Sequence, residues 1–134
     1  MSTYHLALNP EQAHAVIKAL DLCSRIGMGQ LEEIEHFLAW NGVFDMNDPT
    51  TLAKRDEVRA LCDAMKAVLG HPANGSHGIT QEAVPRVCRV GYDVQCVLRQ
   101  VIAREEHEGS HSVWHHDPLH IVSDVPLAKC EVTE

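Results

Sequence analysis

Several patterns that identify common protein classes are missing from this chain of 134 residues. It has no apolar run of 18 residues, so we expect no membrane span, and it opens without a basic region followed by an apolar one, so we expect no secretory signal. Its 11 Lys and Arg are outnumbered by 19 Asp and Glu, a net charge of −8 that disfavours binding to a DNA or RNA polymer. The sequence therefore predicts a single soluble domain in the cytoplasm.

Cysteine spacing excludes a disulfide framework. The five cysteines form an odd set with no C-x-x-C pair, and they stand at positions 23, 62, 88, 96 and 130. Cys88 and Cys96 lie about 12 Å apart along a helix, which is too far for a disulfide. We interpret the cysteines as single, mostly buried thiols in a reducing compartment.

Apolar residues recur at helical spacing through the first forty positions. A first helix is predicted from about Pro10 to Ile26, with Asn9 and Gln12 able to form a capping box at its start. Gly27-Met28-Gly29 favours a sharp bend, and a second helix is predicted over 30–40. The pair would form a helical hairpin or a kinked helix.

A third helix is predicted after Asp48-Pro49, ending at Gly70. Its apolar residues share one face, which we expect to be buried: Leu52, Val58, Leu61, Cys62, Met65, Val68 and Leu69. The residues that follow, 70–79, contain three glycines and are predicted to form a loop.

The fourth helix carries the longest apolar stripe, and it begins with Thr80 as its cap or at Pro85. Apolar residues on a second face predict a central helix, and Gly91 would let another backbone approach closely. Beyond it the pattern is extended, in a short edge strand or an arm. The sequence thus predicts an all-α, four-helix bundle-like domain over 1–108 and an extended C-terminal arm over 109–134.

His107-Glu108-Gly109-Ser110-His111 matches the H-E-x-x-H pattern of zinc hydrolases. The motif needs a continuous helix, whereas Gly109-Ser110 lies where the fourth helix should be ending. Trp114 and Asp117 also break the longer form of the motif. A zinc-dependent hydrolase is therefore a distant alternative. We assign no catalytic residue, no metal site and no cofactor, and the sequence favours a non-enzymatic role.

An acidic run, Glu32, Glu33 and Glu35, could hold a divalent cation or act in acid–base chemistry, but such runs at helix ends are usually solvated. Five of the seven arginines lie elsewhere, at positions 25, 86, 89, 99 and 104. Because arginine pairs bidentately with carboxylates and phosphates, these residues either neutralise the surplus acids or form a local anion pocket.

Three stretches of the chain resemble a family of small phage- and prophage-encoded hypothetical proteins, whose function is not established. They are residues 19–33 with Arg25-Ile-Gly-Met-Gly-Gln-Leu-Glu-Glu, residues 76–79 with Ser-His-Gly-Ile, and residues 91–100 with Gly-Tyr-Asp-Val-Gln-Cys-Val-Leu-Arg-Gln. An Asp117-Pro-Leu tail also belongs to the pattern. The chain departs from it in the histidine-dense segment 107–120.

The resemblance implies a small accessory protein and marks polar positions where function is expected. Those that we assign to ligand binding are Arg25, Gln30, Ser76, Gly78, Tyr92 and Arg99, with Glu33 and Asp93 beside them. If the loop over 70–79 folds across the glycine bend, guanidinium groups of Arg25 and Arg99 would converge on one anion. Alternatively, these residues form a polar network that holds the bend.

The expected ligand is small and phosphorylated, such as a nucleotide immune signal that the protein would sequester as an anti-defence sponge. The alternative is an adaptor or inhibitor that binds a host protein. We also expect a homo-oligomer, because the wide apolar face of the fourth helix and the arm invite contact with another subunit.

Overall fold

The computed structural model describes residues 1–106 and 118–134, and these residues form an all-α fold. Among them there are four helices and no strand: α1 (Pro10–Met28), α2 (Glu33–Trp40), α3 (Thr51–Val68) and α4 (Arg86–Glu106). In the described ranges, none of these helices combines the length and the apolar character needed to cross a bilayer. The predicted fold class is confirmed, whereas residues 118–134 contain no edge strand.

Local signals set most helix ends. The capping box at the start of α1 is confirmed, because Asn9 N donates to Gln12 Oε1 and Gln12 N donates to Asn9 Oδ1, both at 2.9 Å. Three helices end at glycines with positive φ, namely Gly29, Gly42 and Gly70. Left-handed backbone at such a position is strained for other residues, and it turns the chain sharply out of the helix.

The start of α4 agrees with the second of the two predicted positions. Helix α4 begins at Arg86, and the carbonyl of Pro85 accepts hydrogen bonds from Cys88 N at 2.9 Å and Arg89 N at 3.2 Å. Thr80 lies in a turn before the helix. A regular helix at Pro85 needs no donor from the proline nitrogen, which explains why the helix starts there and not at Thr80.

The described chain divides into two compact units, of which the first combines Met1–Asp21 with Val90–Glu134. Within it, α4 is buried on more than one face, as predicted for a central helix. The close approach expected at Gly91 is made by a side chain and not by a backbone, because a Cβ there would lie 3.3 Å from Leu20 Cδ2.

Asp93 attaches the C-terminal segment to α4 within this first unit. Its two carboxylate oxygens accept the backbone N–H groups of Ile121 and Val122, each at 2.9 Å. Asp93 and Val122 are both buried. Because each carboxylate oxygen of Asp93 accepts one backbone donor of the C-terminal segment, the structure gives Asp93 a structural role.

We expect Asp93→Asn to loosen this attachment, because an amide offers one acceptor oxygen in place of two. The loss of one charge-assisted bond should cost about 1–2 kcal/mol and raise hydrogen exchange at Ile121 and Val122 roughly tenfold. Asp56→Asn, at an exposed position on α3, is the matched control. Unchanged exchange at both amides in Asp93→Asn would show that the bonds do not hold the segment.

The second unit, Leu22–Arg89, is built on the pairing of α2 with α3. Charged side chains contribute contacts between the two helices. Arg55 and Arg59 of α3 both bind the carboxylate of Glu35, and Lys66 binds Glu32. Glu35 and Lys66 are each 0% exposed.

The prediction that the apolar face of α3 is buried is therefore wrong. Of its seven apolar residues only Cys62 is buried, while five are exposed: Leu52, Leu61, Met65, Val68 and Leu69. The buried residues of α3 are Thr51, Cys62 and Lys66. Helix α3 turns its cations towards the acids of α2, and this leaves its apolar stripe outside.

Candidate functional site at the end of helix α1

The site is built on the way that α1 ends. Gln30 N donates to Arg25 O at 2.9 Å and Gly29 N donates to Ile26 O at 3.0 Å, the two bonds of a Schellman motif. Gly29 takes the left-handed position, with φ of +87°. The predicted bend is thus a helix end at Gly29, and the chain returns so that Gln30 lies beside Arg25.

The loop over residues 70–79 folds onto this helix end. His77 N donates to Met28 O at 2.8 Å, and the ring of His71 lies directly over Gly29, where a Cβ would come within 2.6 Å of Nε2. The two imidazole rings meet edge to face, with centroids 4.7 Å apart. Gly29 is therefore needed twice, for its φ and for the space that His71 fills.

Three predicted ligand-binding residues come together at this junction. Arg25 Nη1 donates to Gln30 Oε1 at 3.0 Å, and Gln30 Nε2 donates to Ser76 Oγ at 3.5 Å. Glu33, at the start of α2, places Oε1 3.5 Å from Arg25 Nη1. We call Arg25, Gln30, Glu33 and Ser76 the Arg25 cluster.

The Arg25 cluster has the chemistry of an anion site with a carboxylate at its edge. The Arg25 side chain is 38% exposed, so a ligand can reach it, and its 3.5 Å separation from Glu33 is longer than a normal hydrogen bond. Ser76 Oγ accepts a hydrogen from Gln30, which leaves the hydroxyl hydrogen for another acceptor. A phosphate oxygen could therefore bind Arg25 and Ser76 in place of the Glu33 carboxylate.

The remaining predicted ligand-binding residues are Gly78, Tyr92 and Arg99. Gly78 lies in the loop, where a Cβ would meet open space. Arg99 and Tyr92 belong to the first unit, where Arg99 Nη2 pairs with Asp21 Oδ1 at 3.5 Å. Burial raises the pKa of Tyr92, and the neighbouring Cys96 raises it further. Convergence of Arg25 and Arg99 on one ligand stays a prediction.

Sequence reasoning missed the buried charges beside the cluster. Glu35 was expected on a solvated face, yet it accepts hydrogen bonds from Arg55 Nε and Arg59 Nη2. Burial raises the pKa of Glu35, but these two hydrogen bonds outweigh it and hold the pKa below the ordinary value. The signal was the i, i+4 spacing of Arg55 and Arg59, which places two guanidinium groups on one side of a helix.

A charged network continues from the Arg25 cluster to these groups. His36 places Nδ1 3.4 Å from Glu33 Oε2 and Nε2 3.5 Å from Glu35 Oε2. On the other side of α2, Lys66 Nζ donates to Glu32 Oε2 and to Ala73 O, both at 2.8 Å. Because Ala73 is in the loop that carries Ser76, Lys66 also fixes the position of the cluster.

The formal zinc motif over 107–111 lies outside the described residues. Within residues 1–106 and 118–134, no three His, Cys, Asp or Glu side chains are arranged to share a metal ion. The guanidinium group of Arg25 makes an anion the candidate ligand of the Arg25 cluster. No protein-family model, no curated protein and no solved structure matches the chain.

Proposed function

We propose that this chain is a non-enzymatic, phage-type accessory protein that binds and sequesters a small phosphorylated ligand. The observation that supports the proposal is the grouping of Arg25, Gln30 and Ser76 at the end of α1. These side chains come from two separate parts of the sequence, and each can donate a hydrogen bond. A guanidinium group beside amide and hydroxyl donors is a typical combination for binding phosphate.

The acidity of the protein agrees with a small ligand better than with a polyanion. A net charge of −8 repels a long phosphate backbone, whereas a compact ligand interacts with one local group of donors. Glu33 adds selectivity, because an entering anion must displace its carboxylate from Arg25. Ligands with several phosphate oxygens are therefore favoured, and nucleotide immune signals are the proposed class.

The test is a thermal-shift and calorimetric comparison of the full chain with inorganic phosphate, cyclic dinucleotides and ADP-ribose. We expect one nucleotide class to raise the Tm, and we expect Arg25→Ala to weaken its binding by about 10- to 100-fold, the loss of one charge-assisted donor set. Arg104→Ala, on the exposed end of α4, is the control for total charge and should bind as the wild type does.

Arg99→Ala tests whether the second arginine takes part. Weaker binding in both Arg25→Ala and Arg99→Ala would support a shared ligand, and weaker binding in Arg25→Ala alone would restrict the site to the Arg25 cluster. If no anion binds the wild type, or if Arg25→Ala binds as tightly as the wild type, the proposal is wrong.

A protein partner is the second candidate, and the outward apolar stripe of α3 favours it. Leu61, Val68 and Leu69 are 60%, 87% and 62% exposed. Apolar residues grouped on one exposed helix face are typical of protein interfaces. If a host protein binds this stripe, the chain is an adaptor or inhibitor. If a second copy of the chain binds it, the protein is the proposed homo-oligomer. A monomeric mass by light scattering would exclude the oligomer.

A further inference from the structure

Two cysteines that are distant in sequence meet in the second unit. Cys23, on α1, and Cys88, in the first turn of α4, are 65 positions apart, and their Sγ atoms lie 3.5 Å from each other. Cys88 is buried, while Cys23 is partly exposed. The two thiols are not bonded to each other, but their sulfur atoms are in van der Waals contact.

The surroundings of Cys88 hold this contact in place. A Cβ at Gly27 would lie 2.6 Å from Cys88 Sγ and 2.7 Å from Cys88 Cβ, so only glycine leaves room for the thiol. Ser24 Oγ donates to Cys88 O at 3.3 Å, and Ser24 is itself buried. Ser24 and Gly27, which both follow Cys23 on α1, thus fit the chain around Cys88.

The distance is short enough for a disulfide to form with little movement. A disulfide has an S–S length near 2.05 Å, so the sulfurs need to approach by about 1.5 Å, a shift that rotation of two short side chains can supply. The other thiol that we considered for Cys88, Cys96, lies two turns along the same helix.

We propose that Cys23 and Cys88 form a thiol–disulfide site that reacts with two-electron oxidants of the hydroperoxide class. Cys23, as the accessible thiol, attacks the peroxide as its thiolate, so that an S–O bond forms and the O–O bond breaks. One oxygen leaves as an alcohol or as water after it takes up the proton that Cys23 released, and Cys23 becomes a sulfenic acid.

Cys88 then completes the reaction as the resolving thiol. Its sulfur attacks Cys23 Sγ, the S–S bond forms, and the S–O bond breaks with release of water that carries the Cys88 proton. The two thiols lose two electrons and two protons, and the peroxide is reduced by two electrons. Burial, with the neighbouring Cys23, raises the pKa of Cys88 to about 11, which agrees with Cys88 reacting second.

The disulfide would enclose residues 24–87, the segment that carries the Arg25 cluster. Closing so long a loop restricts the unfolded chain, so the oxidised protein should melt about 5–10 °C higher than the reduced protein. In a reducing cytoplasm the bond would be reversible, which makes the pair a sensor of oxidant and not a permanent crosslink.

The test treats the native, full chain with stoichiometric hydrogen peroxide, blocks remaining thiols with N-ethylmaleimide and maps the peptides by mass spectrometry. We expect one linked pair of peptides that contain Cys23 and Cys88, loss of two hydrogens from the intact mass, and a Tm increase that dithiothreitol reverses. Cys23→Ser should lose the link and the Tm increase, whereas Cys130→Ser, at another partly exposed cysteine, should retain both.

Phenylarsine oxide gives an independent measurement that needs no oxidation, since trivalent arsenic binds two adjacent thiols together. The native wild type and Cys130→Ser should be retained on an arsenical resin, and Cys23→Ser should not. The proposal is wrong if oxidation leaves Cys23 as a sulfenic acid or mixed adduct, if it links Cys23 to another cysteine, or if Cys23→Ser keeps the Tm increase. Because Cys23 is partly exposed, this variant should fold even if Cys88→Ser does not.

Discussion

The variant Glu35→Gln should unfold with a free energy about 2–3 kcal/mol below that of the wild type. Glu35 is fully buried, and its two oxygens accept hydrogen bonds from Arg55 and Arg59. Glutamine keeps the shape but removes the charge and turns an N–H group towards a guanidinium donor. Arg59 is half exposed and can be hydrated again, which places the loss at the lower end for a broken buried pair.

The measurement is urea or thermal unfolding followed by circular dichroism, and the Tm of Glu35→Gln should fall by roughly 10 °C. Glu57→Gln makes the same substitution at an exposed position on α3 and should change the free energy of unfolding by less than about 0.5 kcal/mol. Equal stabilities of the two variants would mean that the buried carboxylate does not hold α2 against α3.

The Glu35 carboxylate also predicts how the difference in the free energy of unfolding between the wild type and Glu35→Gln depends on pH. Because the folded-state pKa of Glu35 lies below its ordinary value of 4.5, Glu35 contributes its full stability above that value. The contribution is lost as the pH falls through the lowered pKa, since the unfolded chain then binds more protons than the folded chain. The gap between wild type and Glu35→Gln should therefore narrow below about pH 4.5. A gap that stays constant into the acid range would contradict the assignment.

The helix ends could be predicted from the sequence because they depend on neighbouring residues. Asn9 and Gln12 satisfy each other's backbone three positions apart, and Gly42 and Gly70 end helices through their own φ angles. The start of α4 was left open between two positions, since a threonine cap and a proline both favour a helix start. In the structure the helix begins directly after Pro85.

The orientation of α3 could not be predicted from its own pattern. Helical spacing shows which residues share a face, but the choice of the face that turns inward depends on the helix opposite. Here Glu35 of α2 and Glu32, the residue before α2, pair with α3, so Lys66 and the two arginines turn inward and the leucines outward. A comparison of the acids on α2 with the cations on α3 would have shown this complementarity, which neither helix shows alone.

The Arg25 cluster was partly predictable, because two of its members lie close together in the sequence. The glycine bend brings Gln30 back to Arg25 through bonds that span five residues, and such a local return can be anticipated from the sequence. Ser76 joins them through the loop, where His71 fits over Gly29 and His77 N donates to Met28 O. No spacing in the sequence predicts a contact between a loop and a helix end that lie more than forty residues apart.

The loop's position also depends on Lys66, and Lys66→Met should have an effect comparable to that of Glu35→Gln. Lys66 is 0% exposed, and its ammonium group donates to Glu32 and to the carbonyl of Ala73. Methionine fills most of the same volume but leaves the Glu32 carboxylate and the carbonyl without this donor. We expect a loss of about 2–3 kcal/mol and faster hydrogen exchange and proteolysis within residues 70–79.

Two further variants distinguish the effect of losing the Lys66 charge from the effect of losing its hydrogen bond to the loop. Lys54→Met makes the same change at an exposed position on α3, where Lys54 pairs with Asp48. It should cost no more than about 0.5 kcal/mol. In the double variant Glu32→Leu with Lys66→Met, no carboxylate is left without its ammonium partner, so part of the stability should return. The loop should remain loose, because the donor to Ala73 is still missing. Loss of stability equal to that of Lys54→Met would show that Lys66 is not a structural link between α3 and the Arg25 cluster.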